Sequence, residues 1–286
     1  MRENTIFTTG LGLVALLLLL LSLGKLLGEN DVERYKISVI VDHSNSNSWS
    51  SFKLGLSAAS RAYNMEYNFV STDRLVSIQQ ENINIKREIQ SGADGIITEL
   101  RATEDTGKLL NVLGKTAAIQ LVDSEKESTD PGLNIPSINV EEEALGKALA
   151  EQVLRSTLQK EKKRIGILAG NQNKGNMQKR LHNLLTVLEL EGQDIAWVIS
   201  DRGKTQEEMV KANHKRSVDL IVALDNDSLE IAARYLKDTG RRYVELYGVG
   251  NSREVVYALD TGIIRCLSVI DQYTMGYYAM ENLWYM

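Results

Sequence analysis

The feature that most constrains the fold is a regular alternation between short apolar runs and amphipathic stretches, which starts near residue 36 and continues along the chain. Most of the apolar runs are continuous, which is typical of strands covered on both faces. The predicted strands are Ile37–Val41, Glu66–Val70, Gly95–Thr98, Ala118–Val122, Ser137–Val140, Arg164–Ala169, Ile195–Ile199, Leu220–Leu224, Val244–Val249 and Cys266–Ile270.

Between these runs, apolar residues recur at three- and four-residue spacing, as at Trp49, Phe52 and Leu56, which predicts helices. Strand–helix–strand alternation predicts parallel sheets with helices on both faces. So many strands fit two lobes of about 100 residues each better than one simple sheet. The predicted fold class is therefore α/β, with two doubly wound parallel-sheet lobes preceded by one N-terminal transmembrane helix.

The first residues carry a separate signal. Ile6–Leu27 is almost wholly apolar, and a helix of about 20 apolar residues spans a bilayer core. A cleaved signal peptide and an uncleaved signal anchor both fit. The long leucine run and the poor cleavage site at Ser22–Gly24 favour the anchor. We expect a location at the cell membrane, with the rest of the chain on the extracytoplasmic side.

The sequence also suggests a division into domains. The only two prolines of the chain, Pro131 and Pro136, fall just before the run at Ser137, which indicates a boundary there. The predicted parts are a transmembrane signal anchor at 1–28, a linker at 29–35, an N-terminal lobe at 36–138 plus 270–286, and a C-terminal lobe at 139–269.

Composition and motifs argue against several function classes. A net charge of −5 with a pI near 5.4 gives no bulk attraction to nucleic acid, so no nucleic-acid partner is expected. The sequence contains no GxSxG, P-loop or HExxH motif and a single cysteine, so we predict no catalytic residues, no metal and no cofactor. Because fold does not fix function, a membrane-anchored α/β enzyme of unknown reaction remains the alternative.

Candidate binding residues follow the predicted strands, since open α/β sheets bind ligands at the carboxyl ends of their strands. Ser48 and Trp49 follow the first strand and its polar loop, Asp123 and Ser124 follow the fourth, and Asn226 follows the eighth. Each has a structural alternative: Trp49 fits the core equally well, and the polar residues fit helix or turn caps.

Several segments together resemble the type I periplasmic binding proteins for sugars, typified by ribose- and galactose-binding proteins. The family also provides the effector domain of lactose-repressor-like regulators, but here an apolar run stands where their DNA-binding domain would lie. The segments that carry the resemblance are Ile37–Gly55, the GxDGII-like Gly92–Ile97, the TVDS-like Leu121–Ser124, Glu141–Ala150, Ile165–Arg180, the ND element at Asn226–Asp227 and Tyr273–Tyr277.

The resemblance implies an extracytoplasmic solute-binding protein whose cleft holds a sugar or similar small polar ligand. It implies an ABC permease or a sensor histidine kinase as the partner in the membrane, and no enzyme activity. The ligand-binding residues that it implies are Ser48, Trp49, Asp123, Ser124, Gln178, Arg202 and Asn226.

The chain departs from the family pattern at several of these positions. Ser48 replaces one stacking aromatic, Gln178 replaces an arginine, and Gly250 and Ile270 replace an aspartate and a glutamine. The family also continues past the last helix seen here. A degenerate or truncated binding protein without a ligand is therefore a further alternative.

Overall fold

The computed structural model describes residues 34–75, 77–156 and 162–286, together with residues 14, 16 and 17. Tyr35–Met286 forms one compact unit. Apart from residues 14, 16, 17, 34 and 35, the predicted transmembrane segment at 1–28 and the predicted linker at 29–35 lie outside the described residues. Among the residues that are described, no helix has the length and apolar character needed to cross a bilayer.

The described chain alternates strands and helices as predicted. The strands are β1 (Lys36–Ile40), β2 (Glu66–Phe69), β3 (Gly95–Thr98), β4 (Ala118–Val122), β5 (Ser137–Ile138), β6 (Arg164–Gly170), β7 (Asp194–Ser200), β8 (Leu220–Ala223), β9 (Glu245–Val249) and β10 (Cys266–Ser268). The helices are α1 (Ser50–Tyr63), α2 (Ile78–Gln90), α3 (Thr106–Leu113), α4 (Glu142–Ser156), α5 (Gly175–Leu190), α6 (Thr205–Lys215), α7 (Asn226–Asp238), α8 (Arg253–Asp260) and α9 (Gln272–Trp284), with a short 3-10 turn at Asn47–Trp49 before α1.

The strands form two separate parallel sheets, which confirms the predicted α/β class with two parallel sheets. The first sheet has the order β2-β1-β3-β4-β5, and the second has the order β10-β9-β8-β6-β7. Every residue of β3 and β8 is buried, because helices cover both faces of the sheet at these strands. This double cover explains why the strands read as continuous apolar runs.

Each sheet separates two apolar cores. In the first lobe, α1 and α9 pack on one face around Phe52 and Met280, and α2 and α3 pack on the other around Ile85 and Leu110. In the second lobe, α4 and α5 cover one face, and α6, α7 and α8 cover the opposite face. Four helix layers on two sheets are the usual solution for burying parallel strands.

The chain passes between the lobes twice within the described residues. It leaves the first sheet after β5 through residues 139–141, and it returns after β10 through residues 269–271 to form α9. The carboxyl ends of the strands in the two sheets face each other across a cleft, because residues that follow strands of both sheets line the same cavity.

Candidate ligand-binding cleft

A cavity of about 160 Å³ lies between the two sheets. Residues that follow β1, β3, β4, β6, β7, β8 and β9 line it, which is where open α/β sheets bind ligands. A water-sized group needs roughly 10–15 Å³ of such space, so the cavity holds roughly ten to fifteen groups, about the heavy-atom count of one monosaccharide.

Four of the seven residues that the sequence predicts for the site line this cavity: Ser48, Trp49, Asp123 and Asn226. The other three, Ser124, Gln178 and Arg202, lie outside it. The structure therefore brings together residues from three loops that are far apart in the sequence, while Ser124, next to Asp123, lies outside the cavity.

Trp49 belongs to both the cleft wall and the core. Its side chain is 8% exposed, and its ring meets that of Phe52 edge to face at 5.4 Å between centroids. The indole Nε1 donates to the backbone oxygen of Asp42 at 3.0 Å. The indole is thus held by packing and by a hydrogen bond, and it offers the cleft a fixed apolar surface.

Asp123 lies where β4 ends, with a φ of 43°, in the left-handed region that Asp and Asn tolerate better than most residues. Its Oδ1 accepts from Asn176 Nδ2 at 3.0 Å, and its backbone oxygen accepts from the same nitrogen at 2.9 Å. Asn176 belongs to α5 of the second lobe. Asp123 therefore joins the two lobes as well as facing the cleft.

Asn226 lines the cavity, but its side chain is already engaged within the protein. The carbonyl oxygen accepts from the backbone N–H groups of Asn251 and Ser252, both at 3.1 Å. The Nδ2 amide donates to Glu230 at 2.8 Å. Asn226 thus fixes the start of α8 against the start of α7.

The three residues outside the cavity have other contacts. Ser124 is buried and accepts from the N–H of Leu100 at 2.7 Å, so it fixes the loop after β3. Gln178 is exposed and donates to the backbone oxygen of Gln172. Arg202 is exposed in the turn after β7, where its neighbour Asp201 lines the cavity instead.

Arg180 lies two positions after Gln178 on α5 and points inward. It is 2% exposed, and its guanidinium makes a two-pronged pair with Glu142, with distances of 2.6 and 2.8 Å. It also donates to the backbone oxygen of Leu224 at 2.5 Å. Because a buried charge is tolerated only when it is paired and hydrogen-bonded, Glu142 is what allows this arginine at the cleft floor.

Among the described residues that line the cavity, two ion pairs join one lobe to the other. Lys174, just before α5, lies 2.5 Å from Glu99, which follows β3, and both side chains are almost buried. Arg74, which follows β2, pairs with Asp201 of the second lobe. Burial lowers the pKa of Lys174, but the nearby carboxylates of Glu99 and Asp123 outweigh it and raise the pKa overall. The lysine is therefore a stable cation between the lobes.

Asp227, in the first turn of α7, is a further carboxylate that lines the cavity. Burial, and then the charge of Asp225, raise its pKa to about 6. Its carboxylate lines the cavity and makes no hydrogen bond to another described residue. Asp225, in contrast, caps α7 by accepting from the N–H of Ser228 at 2.7 Å.

Several residues of the cleft were not predicted from the sequence. Glu99, Asp201 and Asp227 each lie within three residues of a predicted strand end, so their position along the chain was a usable signal. Lys174 lies inside a polar loop, and nothing in its spacing marks it. No group of three histidine, cysteine or carboxylate side chains suited to a metal ion occurs in the described part of the chain.

The amino-acid sequence matches the family described as periplasmic binding protein domain over residues 37–286. No curated protein matches the chain by sequence. Solved structures with the same fold include a carbohydrate transporter solute-binding protein from Agrobacterium radiobacter in complex with D-arabinose. It shares 15% identity and a TM-score of 0.78, covering 88% of this chain and 88% of that chain.

Two further structures share the fold. GanP, a glucose-galactose binding protein from Geobacillus stearothermophilus, is 17% identical with a TM-score of 0.75, covering 88% of this chain and 90% of that chain. A XylFII–LytSN complex contains a chain that is 16% identical with a TM-score of 0.76, covering 88% of this chain and 92% of that chain. Identities this low establish a common fold and no more.

Proposed function

Because the chain belongs to the periplasmic binding protein domain family, we propose that it binds one small sugar or similar polyol in the cleft between its lobes. The observation that carries the proposal is the cleft itself. A fixed indole, Trp49, and hydrogen-bonding side chains surround a cavity with the size of one monosaccharide. An apolar ring face and directed polar groups are the two features by which proteins hold a sugar.

The proposed site omits Ser124, Gln178 and Arg202, which lie outside the cavity, and it gives Asn226 a smaller role than the sequence predicts. Asp123 keeps its place as a ligand acceptor, since its Oδ2 makes no hydrogen bond within the described chain. Asn226 can contribute only a donor, because its side-chain oxygen accepts from Asn251 and Ser252 while one of its two amide N–H groups donates to Glu230. Two solved proteins with the same fold, one in complex with D-arabinose and one a glucose-galactose binding protein, support a monosaccharide as the ligand class.

We further propose that the protein works outside the cytoplasm, tethered to the cell membrane by residues 1–28, and that it does not catalyse a reaction. The apolar run at 6–27 supports the tether. Ligand binding would stabilise contact between the lobes, and an ABC permease or a sensor histidine kinase would read that state. A neighbour solved as a complex with a second protein supports reading by a partner.

The test is a thermal-shift screen of the full chain in a mild detergent against neutral pentoses and hexoses. We expect one sugar to raise the melting temperature by several degrees, because a ligand that binds only the folded state stabilises it. Asp123→Ala would abolish the shift, and Asp260→Ala, which changes an exposed carboxylate on α8, would retain it. An absence of any shift across the set would refute sugar binding.

Membrane attachment has its own test. Cells producing the full chain are compared with cells producing a variant in which a cleavable signal peptide replaces residues 1–28. The tether predicts that the full chain sediments with membranes, and that it resists extraction by high salt but not by detergent. Release of both proteins into the soluble fraction would contradict it.

A further inference from the structure

The positive charges at the cleft are all neutralised within the protein. The four lysine and arginine side chains that line the cavity each lie against a carboxylate of the chain. The pairs are Arg74–Asp201, Arg101–Asp42, Lys174–Glu99 and Arg180–Glu142. Among the described residues that line the cavity, a negatively charged solute would therefore find no unpaired lysine or arginine to bind.

The negative charges at the cleft are not balanced in the same way. Beyond the paired carboxylates, Asp123, Asp225 and Asp227 also line the cavity. Asp225 is used as the cap of α7, and Asp123 accepts from Asn176. Asp227 alone of these three makes no hydrogen bond to any described residue, so both of its carboxylate oxygens are open to a solute, whereas Asp123 offers only its Oδ2.

The neighbouring Asn226 sharpens this assignment. Its oxygen accepts from Asn251 and Ser252 and one amide N–H donates to Glu230, so it can offer a ligand one N–H donor and no acceptor that is not already used. The acceptor that the loop after β8 presents to a ligand is therefore the Asp227 carboxylate, because the oxygen of the Asn226 amide is already engaged.

From this pairing pattern we infer that Asp227 selects the solute by charge, accepting a hydrogen bond from a hydroxyl or ammonium group, so that the cleft binds neutral or amino sugars and rejects acidic or phosphorylated ones. The inference rests on the proposed sugar-binding function. A hydrogen bond to a carboxylate is among the stronger ones in proteins. Bringing a second anion beside an unpaired carboxylate in a partly dry cleft is unfavourable, and such repulsion is a common source of specificity.

The charged groups around Asp227 give the inference a pH signature. Asp225 and Glu230 raise its pKa, while His43 and Arg74 lower it, and the net value is about 6. A donor on the ligand binds the ionised carboxylate and not the protonated one. Affinity for a neutral sugar would therefore rise as the pH rises through about 6 and level off above it, and binding would release a proton.

Calorimetric titration of the full chain in neutral detergent tests this with four probes. D-galactose, D-galactosamine and D-galacturonate share one ring and differ in charge, and D-arabinose serves as a neutral pentose. We expect the neutral and amino sugars to bind at least about tenfold more tightly than galacturonate. Asp227→Asn would lower the affinity for the sugars that bind by roughly tenfold, as loss of a charged hydrogen bond does. It would also remove the pH dependence of that affinity near pH 6.

Two variants serve as controls. Asp238→Asn changes an exposed carboxylate on the same helix and would leave binding and its pH dependence intact. His43→Gln removes an imidazole whose charge lowers the pKa of Asp227, so the step would persist and move to higher pH. Galacturonate binding as tightly as galactose, or sugar binding unchanged in Asp227→Asn, would overturn the inference and leave the proposed function standing. If none of the four probes bound the wild type, both the inference and the proposed function would be contradicted.

Discussion

Glu81 is a fully buried carboxylate in the first turn of α2. Its Oε2 accepts from the N–H of Arg101 and its Oε1 from the hydroxyl of Thr98, both at 3.1 Å. It thereby fixes the loop that carries Glu99 and Arg101 to the cleft. Burial, which outweighs both hydrogen bonds, raises the pKa of Glu81 from 4.5 to about 7.

This pKa predicts how stability changes with pH. The folded state holds the Glu81 proton more tightly than the unfolded state, so its contribution to stability is complete below about pH 4.5 and is lost as the pH rises through about 7. The loss amounts to as much as about 3 kcal/mol. In Glu81→Gln the amide oxygen would accept from Arg101 and the amide nitrogen would donate to Thr98, so this loss would disappear.

Urea unfolding of wild type and variant at about pH 5 and about pH 8 measures the effect. The variant is expected to gain stability relative to the wild type at the higher pH. Glu189→Gln, at an exposed carboxylate of α5, would leave the pH dependence of the wild type unchanged. Parallel stability curves for Glu81→Gln and wild type would contradict the prediction.

Single residues of the site were predictable from the sequence only where the local geometry fixes the direction of the side chain. Trp49 and Asp123, which follow strands in the sequence, line the cleft because the carboxyl ends of parallel strands share an edge. The same rule does not say which neighbour points inward. Gln178 and Arg180 are two positions apart on a helix, about 200° around its axis, so the burial of Arg180 turns Gln178 to solvent.

Among the helices, α1 and α9 approach each other most closely through two glycines. A Cβ on Gly55 would lie 2.1 Å from the backbone oxygen of Tyr273, and one on Gly276 would lie 2.4 Å from the backbone oxygen of Phe52. Backbone atoms cannot move aside as a flexible side chain can. This contact holds the returning helix α9 to the first lobe.

Gly55→Ala is therefore expected to destabilise the protein. Alanine favours a helix over glycine by about 1 kcal/mol, but forcing the two backbones apart costs more, for a net loss of about 2 kcal/mol. The matched control is Ser51→Ala, an exposed site on the same helix, which would change stability by less than about 0.5 kcal/mol. A gain in the urea midpoint of Gly55→Ala would show that α9 does not pack tightly on α1.

The elements were more predictable than the residues. Apolar runs located all ten strands, because central strands such as β3 and β8 are buried on both faces. The edge strands β5 and β10 end earlier than predicted, at Ile138 and Ser268, since an edge has a partner on one side only. Strand order could not be derived, because it depends on contacts between distant parts of the chain.

At the scale of the whole molecule, polar contacts join the lobes around the cleft. The contacts include Glu99–Lys174, Arg74–Asp201, Glu125–Lys179, Asp123–Asn176, a hydrogen bond from Asn171 to the backbone oxygen of Arg101, and one from Asn251 to the backbone oxygen of Ser48. The Glu99–Lys174 pair is the most buried of the ion pairs among them. Since only residues 139–141 and 269–271 connect the two sheets within the described chain, these contacts govern how far the lobes separate.

Lys174→Met is therefore expected to open the cleft. Removing one partner of a buried pair leaves Glu99 uncompensated when the lobes meet, which costs about 3–5 kcal/mol. The ratio of closed to open forms would fall roughly a hundredfold or more, and the radius of gyration from small-angle scattering would rise. Lys211→Met, at an exposed lysine of α6, would not change the radius of gyration.

Glu99→Gln combined with Lys174→Met would restore much of the closure, because no buried charge then lacks a partner. Equal radii for the wild type and Lys174→Met would mean that this ion pair does not hold the lobes together.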